Sequence, residues 1–323
     1  MELLTKKRLE LYAGRSHPEL AQEIADHLGV RLGEPHLREF ANGEYHCRYG
    51  ESVRGSDVFI IQTHGRSVNE AIMEQLIMID AAKRGSAKRI TAVCPYFGYS
   101  RQDRKAFGRE PITAKLVADM LKTAGADRVV SVDLHSGQIQ GFFDGPVDHL
   151  VAMPVLLEYL RDSGGDDLVM VSPDAGRVRV AERYGQHLGS DIAFVHKRRL
   201  VDQANQVAAL DVIGPVKGRC CVLIDDMIDT AGTVCAAAEL LHDKGAADVW
   251  TMATHGILSD PAIDRLKNAP ISRVVVTNTL PMPADRHFDK LEVLSIAEII
   301  AAAIDAVFED TSVSEIFGGE NQQ

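Results

Sequence analysis

The chain has five cysteines in 323 residues, an odd number with no C-x-x-C pair. That argues against a disulfide framework or a zinc knuckle. Cys94, Cys220 and Cys221 lie inside apolar runs, which suits buried thiols in a reducing cytoplasm. No apolar run approaches the ~20 residues that span a bilayer. The start, MELLTKKRLELYAG, lacks the apolar core of a secretory signal, so neither a membrane partner nor secretion is expected. Positive charge is in deficit, with 35 Lys and Arg against 46 Asp and Glu and a net charge of −11. A general nucleic-acid binder carries the opposite footprint. No G-x-x-x-x-G-K-[ST] string occurs, which disfavours a P-loop kinase.

What is present is an ordinary globular composition, 46% hydrophobic and 25% charged, in a chain long enough for about two domains. Short apolar runs recur at 58–64, 90–96, 129–135, 168–174, 192–198, 220–226, 249–255 and 273–279. They are continuously apolar rather than alternating, the pattern of strands covered on both faces. Between them Ile72, Leu76 and Ile79 form one helical stripe, and Leu116, Met120 and Leu121 predict another. Ser16-His17-Pro18-Glu19 has the spacing of a capping box at the first helix. Strand and helix in alternation imply βαβ units and parallel sheets. The segments 121–137 and 241–256 echo each other, each with a helix end, a Gly-Ala turn, a strand and a histidine. The fold expected is α/β, two similar domains, each a mainly parallel sheet flanked by helices. The boundaries are drawn as 1–150, 151–308, and a 309–323 segment returning to the first domain.

In open parallel sheets, ligands bind beyond the carboxyl ends of the strands. Acids, histidines and a Lys/Arg pair stand at those ends. Any one of them alone is more often a solvated residue leaving a buried strand, but together they are the parts of a metal–phosphate site. The string VLIDDMIDTAGT (222–233) is the most informative. Asp225 and Asp226 can accept hydrogen bonds from vicinal hydroxyls. Asp229, Thr230, Ala231, Gly232 and Thr233 precede a helical segment, where unpaired amides and the helix dipole favour an anion. The bland alternative is a helix N-cap at Asp229 beside a bystander acid pair.

This string resembles the phosphoribosyl diphosphate (PRPP) binding motif, in which two acids face the ribose 2- and 3-hydroxyls and the loop grips the 5-phosphate. Phosphoribosyltransferases share it, so the motif alone leaves the reaction open. Together with FANGE (40–44), PYFGYSRQD (95–103), VDLHSGQIQGFF (132–143) and SPDAGRVRVAERY (172–184), it resembles the phosphate-activated class I ribose-phosphate pyrophosphokinases along nearly the entire chain. The transferases lack the FANGE and PYFGYSRQD strings. The resemblance implies two phosphoribosyltransferase-like domains. It also implies transfer of the β,γ-diphosphoryl group of ATP to the 1-hydroxyl of ribose 5-phosphate, giving PRPP and AMP for nucleotide biosynthesis. A non-catalytic regulatory paralogue and a phosphoribosyltransferase are the alternatives.

By the same resemblance, Phe40, Asn42 and Glu44 recognise adenine from a neighbouring subunit, and Arg101 and Gln102 bind ATP. His135 and Asp174 hold Mg²⁺ directly or through water, and Lys197 and Arg199 are the catalytic cations. Ser52, Arg54, Arg104, Ser312 and Ser314 match positions around an allosteric site, with inorganic phosphate as activator and ADP as inhibitor. The assembly implied is a homo-oligomer, a hexamer. Two departures stand out: Ala175-Gly176-Arg177 replaces a double glycine and adds a cation at the rim, and KAFGREP places Phe107 and Gly108 in a loop that is otherwise more polar.

Overall fold

The computed structural model describes residues 7–165, 167–174, 176–198 and 209–319. From the amino terminus the elements are β1 (Leu9–Ala13), α1 (Pro18–Leu28), β2 (Leu32–Gly33), β3 (His36–Glu39), β4 (Tyr45–Arg48), β5 (Asp57–Ile61) and α2 (Val68–Arg84). There follow β6 (Arg89–Cys94), α3 (Thr113–Ala124), β7 (Arg128–Val132) and β8 (Val147–Leu150). The second half runs α4 (Met153–Ser163), β9 (Leu168–Ser172), α5 (Val178–Leu188), β10 (Asp191–Arg198), β11 (Ala209–Ile213), β12 (Cys220–Ile228) and α6 (Gly232–Asp243). It ends with β13 (Asp248–Gly256), α7 (Ala262–Asn268), β14 (Arg273–Thr277), β15 (Leu291–Leu294) and α8 (Ala297–Phe308).

These elements form two compact units. One holds the described residues up to Val151, Thr279–Pro281 and those from Ser295 onward; the other holds Ala152–Asn278 and Met282–Leu294. The return to the first unit thus comes at 295 rather than at the expected 309. Helix α8 is apolar on nearly every side and must be covered. It packs on α1 and β8, burying Ile300, Ala303 and Ile304 completely.

The first unit's sheet has the order β2-β1-β5-β6-β7-β8, parallel throughout. The second unit's sheet has the order β11-β10-β9-β12-β13-β14-β15, parallel except for the β10–β11 pair. Each βαβ connection covers a face of its sheet, so the central strands are buried on both faces. Strands β5 and β9 are buried along their full length. In the second sheet strand order reverses between β9 and β12, which makes the carboxyl ends of those two strands the expected ligand crevice.

Two local expectations are corrected. Helix α3 buries Ala114, Val117, Ala118 and Leu121 and leaves Leu116 exposed, so its inward stripe lies one residue round from the expected one. Small alanines let the helix sit close to the sheet, and hydrophobicity alone does not mark them. Helix α1 is capped by His17, whose Nδ1 accepts the Leu20 N–H; Ser16 instead donates its hydroxyl to Gln62 Oε1 at 2.7 Å. A two-stranded antiparallel hairpin, β3–β4, was not anticipated at all.

Candidate active site

In the second unit the site begins with a mismatch of strand lengths. Strand β9 pairs with β12 only as far as Leu223, while β12 continues to Ile228 beside β13. Asp225 and Asp226 therefore lie on a stretch of β12 whose other neighbour has already ended. The turn after β9 fills that place. Asp174 Oδ1 accepts the backbone N–H groups of Gly176 at 2.7 Å and Arg177 at 3.2 Å, which fixes the turn at the start of α5. Arg177 then reaches both acids, with Nε 3.4 Å from Asp225 Oδ1 and Nη2 2.8 Å from Asp226 Oδ1. Asp225 Oδ1 also accepts the Asp226 N–H at 2.8 Å. Burial pushes the Asp225 carboxyl well above the usual carboxylate range; the Asp226 carboxyl adds to the rise, and Arg177 pulls against it.

Strand β12 then turns into α6 through 229–233. Ala231 adopts a left-handed conformation, φ 58°, at the helix N-cap, and no side chain caps the helix. Left-handed and helical residues in succession turn consecutive amides inward as an anion-binding nest. Arg265 of α7 braces this turn, donating from Nη1 to the Thr230 carbonyl at 2.9 Å. Sequence reading missed Arg265, which lies 35 positions from Thr230 and belongs to no motif. Lys197 is the penultimate residue of β10, in register with Leu210 of β11; Arg199 lies outside the described residues.

In the first unit the FANGE segment is the tip of the β3–β4 hairpin. It is closed by Phe40 N–H to the Glu44 carbonyl and Gly43 N–H to the Phe40 carbonyl, both 2.8 Å. Asn42 Oδ1 accepts the Glu44 N–H at 3.3 Å. Phe40 stays 41% exposed, although large apolar side chains are ordinarily covered, with the Arg38 guanidinium 4.6 Å from its ring centroid.

Arg101 and Gln102 stand in the loop that leaves β6, and His135 in the loop that leaves β7. Asp103, almost buried, joins the two loops by accepting from Ser136 Oγ at 2.6 Å and Gln138 Nε2 at 2.8 Å. Gln102 Oε1 accepts the Thr113 hydroxyl, anchoring the same loop to the start of α3. Beneath it His64 is fully buried, accepting the Gly98 N–H on Nδ1 at 3.0 Å and donating from Nε2 to Gln75 Oε1 at 2.9 Å. His149 Nε2 accepts the Leu134 N–H at 3.0 Å and steadies the His135 loop. Asp103, a residue that sequence reading quoted but gave no role, thus ties the loop that carries Arg101 and Gln102 to the loop that carries His135.

Comparison with known proteins decides what these halves belong to. Residues 9–125 match the N-terminal domain of ribose phosphate pyrophosphokinase, and residues 193–318 the phosphoribosyl synthetase-associated domain. A ribose-phosphate pyrophosphokinase from Bifidobacterium longum is 58% identical, over 96% of this chain and 93% of that protein. One from Streptomyces coelicolor is 57% identical, with 97% of each covered. The crystal structure of phosphoribosylpyrophosphate synthetase from Mycobacterium smegmatis is similar with a TM-score of 0.89 at 55% identity, over 94% of this chain and 100% of that one. The chain belongs to the ribose-phosphate pyrophosphokinase family.

The remaining positions singled out by resemblance to the pyrophosphokinases fall at two edges of the first sheet. Ser52 and Arg54 precede β5, at the amino ends of the strands, where Arg8 donates to the Ser52 carbonyl and, from Nε, to Ser56 Oγ at 2.7 Å. Ser312 and Ser314 follow α8 at this same edge. Asp310, two residues before Ser312, binds Lys7 at 2.6 Å and Arg89 at 2.5 Å, just ahead of β1 and at the start of β6. Arg104 belongs instead to the loop at the carboxyl ends. Ser52, Arg54, Ser312 and Ser314 thus lie toward the amino ends of the first sheet's strands, and Arg104 toward the carboxyl ends.

Proposed function

We propose that this chain transfers the β,γ-diphosphoryl group of ATP to the 1-hydroxyl of ribose 5-phosphate, producing PRPP and AMP for nucleotide biosynthesis. The observation that carries the reading is the run from paired acids to an uncapped helix N-terminus along β12 and α6, in a chain that matches pyrophosphokinases over nearly its full length. Asp225 and Asp226 accept from the two vicinal hydroxyls, and the 229–233 amides with the Thr230 and Thr233 hydroxyls hold the 5-phosphate. A pentose held at both ends presents its 1-hydroxyl in one orientation, and positioning supplies much of the barrier reduction in phosphoryl transfer.

The first unit supplies the nucleotide contacts. Phe40 packs on adenine, Asn42 and Glu44 bond its edge, and Arg101 and Gln102 take the phosphates. The exposed hairpin tip supports delivery of Phe40 to a neighbouring subunit, hence a homo-oligomer, which we assign as a hexamer. Lys197 and Arg199 stabilise charge on the transferred and departing phosphates, Arg199 as a two-toothed donor and Lys197 as a mobile point charge.

The ion this chemistry requires is Mg²⁺, with His135 and Asp174 as the residues that would hold it. Among the described residues no group of three or more His, Cys, Asp or Glu side chains is arranged around a common point. Few protein donors suit Mg²⁺, which keeps several waters and leans on substrate phosphates. Asp174 fits that pattern, since one of its carboxylate oxygens is already committed to the α5 turn. Bound there, the ion would neutralise charge on the diphosphoryl oxygens.

Ser52, Arg54, Ser312 and Ser314 form the core of a regulatory site for activating phosphate and inhibitory ADP. Five unpaired thiols and, among the described residues, no helix long and apolar enough to cross a membrane support a cytoplasmic location. Chromatography of a mixture of ATP, Mg²⁺ and ribose 5-phosphate tests the reaction. AMP and PRPP are expected; ADP, or pyrophosphate release that depends on an added base, overturns the reading.

A further inference from the structure

Adjacent residues on a strand point to opposite faces, so Asp225 and Asp226 have no reason of their own to serve one ligand. Both lie within β12, yet both are engaged by a single guanidinium that enters from the turn after the shorter neighbouring strand. Resting on the function proposed above, we propose that Arg177 is a positioning residue for the sugar. It draws the two carboxylates into a paired acceptor for a vicinal diol and offsets their repulsion of a phosphorylated substrate.

Three observations carry this. The side chains of Arg177, Asp225 and Asp226 are 15%, 29% and 8% exposed, so the contact is sheltered from the solvent screening that makes surface ion pairs weak. The guanidinium is not needed to start α5, because the helix takes no side-chain cap from Arg177 and its turn is set by Asp174 Oδ1. And without a cation, two acids held this close would face a dianionic sugar phosphate with like charge.

Full-length protein and the variants Arg177→Met, Arg177→Lys and Arg177→Gly separate the possibilities. Ribose 5-phosphate binding is measured by calorimetry without ATP, and KM and kcat from AMP formation with ribose 5-phosphate and with 2-deoxyribose 5-phosphate. In Arg177→Met and Arg177→Gly, the Kd and KM for ribose 5-phosphate rise roughly tenfold, as expected for loss of a charge-assisted contact, while KM for ATP stays within about twofold. Preference for the 2-hydroxylated sugar narrows, because the acceptor for that hydroxyl is no longer held in place. Arg177→Lys recovers much of the affinity through charge but less of the preference, since an ammonium cannot bracket two carboxylates as a fork does. Unchanged affinity and preference in both neutral variants, or tighter binding because the guanidinium had competed with the sugar, overturns the proposal. Wild-type protein that forms no AMP from ATP and ribose 5-phosphate overturns the underlying function instead. Thermal midpoints within a few degrees of wild type show that the comparison is between folded proteins; if Arg177→Met falls outside that range, Arg177→Gly decides.

Discussion

His64 shows how a single buried side chain shapes a loop that sequence reading could only place at a strand end. Its ring is fully covered, and both nitrogens are committed, one to the Gly98 N–H and one to Gln75. Burial holds its pKa down to about 4, so the folded protein keeps the ring neutral where an unfolded chain would take up a proton. The sign follows from linkage: the stabilisation is complete above the unfolded value of about 6.5 and is lost as pH falls toward 4, amounting to roughly 3 kcal/mol. Denaturation midpoints should therefore drop between pH 6.5 and 4.5 in wild type. In His64→Asn they should start lower and fall less. Parallel decline of the two proteins across that window would show that His64 does not carry the effect. None of this was legible beforehand, because a strand-end histidine looks the same whether it binds phosphate or holds a loop.

At the scale of elements, periodicity was informative wherever a strand is buried on both faces. The eight apolar runs read from sequence correspond to β5, β6, β7, β9, β10, β12, β13 and β14. The strands it missed are short or lie toward sheet edges, such as β2, β8 and β15, where only part of the surface is covered and composition carries little signal. A turn into a helix N-terminus at 229–233 was legible from its small residues, but the backbone strain at Ala231 was not. A left-handed residue with a Cβ is disfavoured by about 1–2 kcal/mol, whereas removing one buried methyl costs about 0.8 kcal/mol. Ala231 is buried in the core of its unit, so in Ala231→Gly the two effects nearly cancel. Stability and ribose 5-phosphate affinity should stay close to wild type. Ala231→Val adds a branched side chain at φ 58° and should lower the unfolding midpoint and weaken sugar binding together. Calorimetric binding and chemical denaturation of the pair check this, and a Val variant with normal affinity would remove the turn's strained geometry from the account of phosphate binding.

At the scale of the whole molecule, the first unit is discontinuous in sequence. The chain leaves it after Val151, touches it again at Thr279–Pro281, where the Thr63 hydroxyl donates to the Thr279 carbonyl at 2.6 Å, and completes it only from Ser295 onward. Sequence reading drew the second domain to 308 but left α8 able to pack on either domain, because its apolar residues say that it must be buried without saying against what. The answer lies in α1, whose inward face of Leu20, Ala21, Ile24 and Ala25 is buried in turn. Three isoleucines of α8, Ile299, Ile300 and Ile304, are each at least nine-tenths buried. At about 1.5–3 kcal/mol per large apolar side chain, with the alanines and Val307 beside them, the helix is worth on the order of the 5–15 kcal/mol that stabilises a whole domain. A chain ending at 294 should then lose the first unit while keeping the second. Hydrogen exchange should show β1, β5 and β6 unprotected and β9, β12 and β13 still protected. Supplying a 295–323 peptide in excess should restore protection to the first set by mass action, since the peptide binds the folded form alone. Full protection of β1 and β5 in the truncated chain would mean that α8 decorates a unit already complete without it.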